Sequence, residues 1–225
     1  GQLRQSGSLY LNPNPGGSAG STNVYAPVAF EQKAVSGSGN EFDLGDPTQL
    51  LSGTDDTLTL GFRRYRDPVF VNPNPLTLAR NCVGGPSDDP SAPASNDQRV
   101  ESIFQLSANN ALQCGGNGAN AQAIIQNVAD FQIRYLIQTD SSTIGYVTAA
   151  DVDQPGDIQG VEICLVLYGS EPIGLPEPNA ARPELTSYRD CDGNCVDMTG
   201  LAGERRNRMH LVFRNQFQLR SQGLM

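Results

Sequence analysis

The five cysteines are the residues of this sequence with the clearest covalent chemistry. Cys82 lies in NCVGG, Cys114 in LQCGG, and Cys191 and Cys195 in DCDGNC, whereas Cys164 lies within the apolar run VEICLVLY. Turn-rich segments of this kind can bring thiols together, so they indicate oxidised pairs in an extracytoplasmic compartment. Cys191 and Cys195 are close enough in sequence to close a small ring worth on the order of 2 kcal/mol.

The segment that contains the last two cysteines also offers oxygen ligands for a metal ion. Their alternating positions are Asp190, Asp192, Asn194 and Asp197. Calcium needs several converging carboxylate and carbonyl oxygens, so the segment is a weak candidate calcium site. The EF-hand pattern is incomplete, because Cys195 replaces its turn glycine and Leu201 its final glutamate. We expect an acidic turn closed by a disulfide, with no firm metal ligand and no cofactor.

Catalytic patterns are lacking in the sequence. His210, the single histidine, stands in a predicted strand without a G-x-S-x-G or H-E-x-x-H motif. The glycine-rich stretch 115–120 lacks the Lys and Ser/Thr of a phosphate-binding loop. Paired carboxylates such as Asp55 and Asp56 stand in turns without an apolar pocket that would raise a pKa. We therefore expect a protein that is not an enzyme.

Composition bounds both the fold and the partners. The 225 residues are 38% hydrophobic, which suits one domain with a buried core spanning residues 1–225. The 24 Gly and 15 Pro favour short strands joined by long loops, hence a mostly β fold. A net charge of -9 argues against direct nucleic acid binding, because phosphate contacts need clustered Lys and Arg.

Alternating apolar residues predict the strands that must position these groups. The central one is NVADFQIRYLI at 127–137, in which Phe131, Ile133 and Tyr135 share a face with Ile137. The same pattern predicts strands at 55–62, 99–107, 161–168 and 209–220, and a hairpin partner at 111–114. In the last strand one face collects Met209, Leu211, Phe213, Phe217 and Leu219.

The remaining segments are predicted as connections. Residues 121–128, AQAIIQNV, are expected to form a short turn of helix that leads into the central strand. Long irregular loops are expected at about 12–50 and 170–206, and the prolines of the second loop are expected to exclude a regular element. Because loops commonly carry recognition, this second loop is a candidate functional surface.

The order of three runs resembles a known family. NVADFQIRY at 127–135, VEICLVLYG at 161–169 and MHLVFRNQFQLR at 209–220 are similar to strands of the C-terminal half of PilW-type minor pilins of the type IV pilus. That family is in turn similar to the J-type pseudopilins of type II secretion systems. The stretch 172–204 has no counterpart in the resemblance.

Four shorter segments support the resemblance in the correct order. DTLTLGFRRY at 56–65, NCVGG at 81–85 and NNALQC at 109–114 resemble the family's upstream strand, its cysteine loop and its hairpin end. LRQSGSLY at 3–10 is similar to the end of the family's long N-terminal helix. If the resemblance holds, the leader and most of that helix are absent from this chain.

The resemblance implies an α+β, mostly β, pilin-like fold with antiparallel sheets and a helix packed on one face. It places Cys82 and Cys114 where the family has its disulfide, a link worth roughly 3 to 4 kcal/mol. With Cys191 and Cys195 also paired, Cys164 is left as a buried free thiol.

The resemblance also implies a function in assembly. The expected protein is a minor pilin that primes type IV pilus assembly and sits at the pilus tip, with other minor pilins and the major pilin as partners. Its expected location is the inner membrane, with a periplasmic domain, before assembly and the extracellular pilus afterwards. The missing helix is the expected membrane contact. The alternatives are a J-type pseudopilin and a calcium-dependent extracellular adhesin or binding module.

Overall fold

A computed structural model of the chain describes residues 51–63, 67–69, 72–76, 79–86, 99–140, 143–153, 157–179 and 181–219. The expected loop at 12–50 and the segment LRQSGSLY lie outside these ranges. Within them, the regular structure is almost entirely strand, with three single-turn 3₁₀ helices at Ala149–Asp151, Pro183–Leu185 and Gly203–Arg205. No helix in the described part of the chain is long and apolar enough to cross a membrane.

The described strands pair antiparallel throughout, which confirms the predicted mostly β class. In chain order they are β1 (Leu51–Gly53), β2 (Thr57–Arg63), β3 (Asp67–Val69), β4 (Asn72–Leu76), β5 (Arg99–Leu106), β6 (Leu112–Gly116), β7 (Ala119–Ile125), β8 (Val128–Asp140), β9 (Thr143–Val147), β10 (Ile158–Tyr168), β11 (Ser187–Arg189), β12 (Cys195–Asp197) and β13 (His210–Gln218).

Five strands form the first large sheet, in the order β1-β2-β5-β6-β7. Its last hairpin corrects the helical turn expected at 121–128, because Ala119–Ile125 is strand β7 paired with β6. Asn117 and Gly118 between them adopt φ values of 51° and 74°. Positive φ at both positions of an Asn-Gly pair is the geometry of a tight hairpin turn, so this turn sends the chain back along β6.

Four strands form the second large sheet, in the order β13-β10-β8-β9. The predicted central strand is β8, with β10 on one side and β9 on the other. Ile133 of β8 lies opposite Ile163 of β10, and Leu165 of β10 lies opposite Phe213 of β13. The apolar faces predicted separately for β8, β10 and β13 are therefore one continuous face of this sheet.

The two large sheets share one hydrophobic core. Leu58 and Leu60 of the first sheet belong to the same buried cluster as Phe131, Ile133 and other residues of the second. Full burial of each such side chain contributes about 1.5 to 3 kcal/mol. This face of the second sheet is called the inner face below, and the opposite face the outer face.

The loop expected at 170–206 contains a short hairpin, which corrects the prediction that it lacks regular structure. Strands β11 and β12 pair with Arg189 opposite Cys195, and Gly193 in the turn has φ of 83°. Residues 187–197 contain no proline, whereas the prolines lie at 172, 176, 178 and 183. The prolines exclude a strand only where they stand, so the segment between 187 and 197 is able to pair.

Candidate functional site

An apolar cleft of about 560 Å³ separates the two large sheets beyond the packed core. The first sheet lines it with Leu58, Leu60, Phe104, Leu112 and Ile124, and the second with Phe131, Ile163, Leu165, Phe213 and Phe217. Phe131, Phe213 and Phe217 come from alternating positions that the sequence pattern grouped on one face of their strands, whereas Ile124 belongs to the segment that was expected to be helical. A cleft lined in this way suits another apolar surface, since exposed apolar patches commonly mark interaction sites.

The apolar surface continues from the cleft onto strand β13. Leu219 is buried and Phe217 half-buried, but Met209, Leu211 and Phe213 keep 53%, 53% and 51% of their surface exposed. The sequence pattern correctly grouped these residues on one face but did not indicate that half of that face is uncovered. The reason is positional, because β13 is the last strand of its sheet and extends past the shared core.

The outer face of the second sheet holds the β11–β12 hairpin, residues 186–198, through a covalent link. A disulfide joins Cys164 of β10 to Cys191 in the hairpin turn, and Cys195 is an exposed free cysteine. This corrects the expected Cys191–Cys195 ring and the expected free thiol at Cys164. In β10 the Cys164 side chain points away from the core that holds Ile163 and Leu165, so it reaches the covering hairpin.

Cys195 is turned away from that link by the pairing of the hairpin strands. Cys195 lies on β12 opposite Arg189 of β11, and its Sγ is 3.0 Å from the hydroxyl oxygen of Ser187. Cys191, in contrast, lies in the turn against the sheet and is 1% exposed. The sequence offered one signal for this pairing: Cys164 shares the outer face of its strand with Val166 and Tyr168, and this second apolar face needs a cover.

Polar contacts from two strands of the sheet, β8 and β13, add to the disulfide. Arg134 of β8 forms an ion pair with Asp192 at 3.2 Å, and Gln132 Nε2 donates to the other oxygen of the same carboxylate at 3.0 Å. Arg214 of β13 donates to the backbone carbonyl oxygens of Asp190 and Cys191. Exposed ion pairs contribute little individually, so the disulfide and these bonds together fix the hairpin.

An aromatic stack secures the other end of the hairpin. The Tyr188 ring stacks on the His210 ring with centroids 4.3 Å apart and planes 5° apart, and the Tyr168 ring lies 5.9 Å from the same imidazole. The carbonyl oxygen of Arg208 can only accept, so His210 Nδ1 donates to it at 2.9 Å. The buried Nε2 has no hydrogen-bond partner among the described residues. Burial, and then the positive charge of Arg205, lower the His210 pKa.

The four candidate calcium ligands make contacts within the protein. Asp190 Oδ1 accepts the backbone N–H groups of Asp192 and Asn194 at 2.9 and 2.8 Å, while Asp197 accepts the backbone N–H and hydroxyl of Thr199. The Asp192 carboxylate faces Arg134, as described above. Among the described residues, no group of three or more His, Cys, Asp or Glu side chains is arranged to hold a metal ion.

Two further titrating groups are shifted by their surroundings in the second sheet. Burial raises the pKa of Asp130, and the nearby carboxylates of Asp190 and Asp192 raise it further. Burial also raises the pKa of Tyr135 to about 12, with an added contribution from Asp55, and its hydroxyl donates to the Thr54 carbonyl at 3.2 Å. Both shifts follow from burial and from neighbouring carboxylates.

The first sheet holds its own disulfide, between Cys82 and Cys114, the pair that the family resemblance implied. The buried side chain of Asn81 positions the cysteine loop: its Oδ1 accepts the N–H groups of Val83 and Gly85, and its Nδ2 donates to the Gly116 carbonyl at 3.2 Å. The loop is therefore joined to the end of β6 by hydrogen bonds as well as by the disulfide.

Two stacked antiparallel sheets, an apolar cleft and two disulfides define a mostly β domain. The sequence model of the family described as "Type IV Pilus-assembly protein W", PilW, matches residues 93–221, more than half of the 225-residue chain. The chain belongs to this family, and the protein is a component of the type IV pilus.

The structural comparison found a type IV-like pilin from Thermus thermophilus, which is 11% identical to this chain. The match covers 75% of this chain and 81% of that chain, with a TM-score of 0.35. A comparison with curated proteins gave no significant match.

Proposed function

We propose that this protein is a minor pilin that primes assembly of the type IV pilus and stays at its tip. The observation that carries the proposal is the family match over 93–221, a range that includes β5 to β13 and both faces of the second sheet. On this proposal the protein is structural, performs no catalysis and uses no cofactor.

The apolar cleft supports an assembly role. A helix that packs on a sheet needs an apolar surface, and the cleft supplies one from both sheets, with Phe131 and Leu165 on one side and Leu60 and Phe104 on the other. Burial of apolar area is the main favourable term in most protein association. The proposed occupant is the pilin-type N-terminal helix, which would also join the subunit to its neighbours and to the inner membrane before assembly.

The two disulfides support an extracytoplasmic location. Both links join segments distant in sequence, with separations of 32 and 27 residues, and such links persist in oxidising compartments. The proposed location is the periplasmic side of the inner membrane before assembly and the extracellular pilus afterwards. The proposed partners are other minor pilins and the major pilin.

The decisive experiment deletes the gene and restores it with the natural sequence or with cleft variants. Loss of surface pili on deletion is expected, with recovery by the natural sequence. Leu165→Asp, which places a charge in the cleft, should fail to restore pili, whereas Leu185→Asp, at an exposed position outside the cleft, should restore them. Unchanged piliation after deletion would contradict the proposal.

Two further measurements separate the alternatives. Intact pili combined with loss of protein secretion would favour a J-type pseudopilin of a type II secretion system. A rise in melting temperature with Ca²⁺ that disappears in Asp192→Ala would favour a calcium-dependent adhesin. Pull-down of purified minor pilins by the purified domain tests the proposed partners directly.

A further inference from the structure

Among the strands that the structure describes, β13 forms an edge of the second sheet. It follows β10 at one end of the order β13-β10-β8-β9, and its nine residues from His210 to Gln218 all pair with β10. An edge strand presents backbone N–H and C=O groups on its outer side, which makes it a template for another strand unless the edge is protected.

The register identifies which backbone groups of β13 point outward. The Met209 carbonyl accepts from the Gly169 N–H, and the Leu219 N–H donates to the Gln159 carbonyl. The backbone N–H and C=O groups of the odd-numbered residues therefore point toward β10. In an antiparallel pair the intervening residues point their N–H and C=O groups the other way. Val212 and Arg214 therefore direct both groups outward. The Gln216 N–H also points outward, but it donates to the side-chain Oδ1 of Asn215.

The side chains of this edge are as open as its backbone. Leu211 and Phe213 are half exposed on the inner face, and Phe213 also lines the apolar cleft. On the outer face, Arg214 is the one charged residue of β13, beside the exposed Gln216. Three of the usual protections of an edge are lacking in β13, because the strand is nine residues long, has no proline and shows no register shift in its pairing with β10.

We infer that the outer edge of β13 is an interaction surface that receives an extended segment of another protein as an additional antiparallel strand. The open N–H and C=O groups of Val212 and Arg214 specify the strand conformation, as in other complexes formed by strand addition. Leu211 and Phe213 specify apolar side chains at alternate positions of the incoming segment. On its other face, Arg214 Nη1 lies 3.5 Å from Glu162 Oε1, and the exposed part of the guanidinium favours a carboxylate of the incoming segment.

A second copy of this chain fits the edge less well than an acidic segment does. Pairing two β13 strands brings two Arg214 cations and no carboxylate of β13 into the new interface. The inference does not depend on the proposed function, since it rests on the backbone and the side chains of the β13 edge.

The test uses synthetic capped peptides of alternating valine and glutamate, as long as β13, with a fluorescent label and the purified domain. Anisotropy should show saturable binding. Two N-methylated versions of the peptide, each with one alternate set of amides blocked, distinguish strand addition from binding through side chains alone. The version methylated on the amides that face β13 should lose binding, and the other should retain it, because only one edge of the added strand pairs.

Protein variants provide the second part of the test. Val212→Pro removes an outward N–H but no bond to β10, so it should weaken binding about five- to tenfold. Phe213→Thr should weaken binding by removing the apolar contact. Ile144→Thr is the matched control, since Ile144 is 59% exposed on the opposite edge strand β9 and should leave binding unchanged.

The outcomes decide the inference. Arg214 is left in place, because it also holds the hairpin, and charge is tested with a valine and lysine peptide, which should bind more weakly than the glutamate peptide. The inference would be overturned if both N-methylated peptides lost binding equally, if Val212→Pro and the natural domain bound the peptide equally, or if no saturable binding appeared at millimolar peptide. It would also be overturned if sedimentation showed a dimer of the domain that Val212→Pro abolishes.

Discussion

The sharpest quantitative prediction concerns the disulfide between Cys164 and Cys191. The link closes a loop with a sequence separation of 27 residues. On the chain-entropy relation, a loop of this length restricts the unfolded chain by about 3.5 kcal/mol at 25 °C. Replacing both cysteines by alanine in a Cys195→Ser background should therefore lower the free energy of unfolding by about 3 to 4 kcal/mol, a large part of the 5 to 15 kcal/mol typical of a domain.

Urea unfolding followed by circular dichroism measures this loss, with the Cys195→Ser protein as the reference. Cys195 is exposed and free, so Cys195→Ser alone should change stability by less than about 0.5 kcal/mol. The opposite pattern would refute the reasoning: a loss of about 2 kcal/mol in Cys195→Ser, with little loss in Cys164→Ala, is the signature of a Cys191–Cys195 ring. Peptide mapping without reductant identifies the bonded pair independently.

Three further predictions follow from the titrating groups. The His210 pKa is lowered from 6.5 in the folded state, so the unfolded chain binds the proton first as pH falls. The free energy of unfolding, measured in urea, should therefore decrease below about pH 6.5. His210→Phe should remove this dependence. The Asp130 pKa is raised from 3.8, so its ionised form destabilises the fold; Asp130→Asn should raise the melting temperature at pH 7 but have no such effect at pH 2 to 3. Tyr135 should titrate near 12 by ultraviolet absorbance, and Tyr135→Phe should cost about 1 kcal/mol through the lost bond to Thr54; titration at the ordinary value of 10 would contradict its burial.

The strands were predictable because their signal is local. Period-two alternation in 127–137 located β8, and similar runs located β2, β5, β10 and β13 within a few residues. Strand β7 was missed, since AQAIIQNV has no clear alternation and its conformation follows from the Asn117–Gly118 turn before it. The β11–β12 hairpin departs from the prediction because the prolines near it exclude pairing only at their own positions and not along the whole loop.

The cysteine pairing shows why nearness in sequence is a poor guide to contact. Cys191 and Cys195 are neighbours in the chain, but the hairpin strands point Cys195 outward while the turn presses Cys191 onto the sheet. Cys164 meets Cys191 only after β10 has paired on both sides and the hairpin has docked on the outer face. A pattern within one strand could indicate its face but not what would cover that face.

The mostly β class, the apolar face of each main strand and the likeness to PilW-type pilins follow from local patterns, because alternation and ordered motifs are properties of neighbouring residues. Contacts between distant segments, in contrast, set which thiols meet, that His210 and Tyr188 stack, and that Leu211 and Phe213 stay half exposed at a sheet edge. Those outcomes depend on sheet order and on which element lies above each face. Both are set by contacts between residues far apart in the chain, and a local pattern carries no record of them.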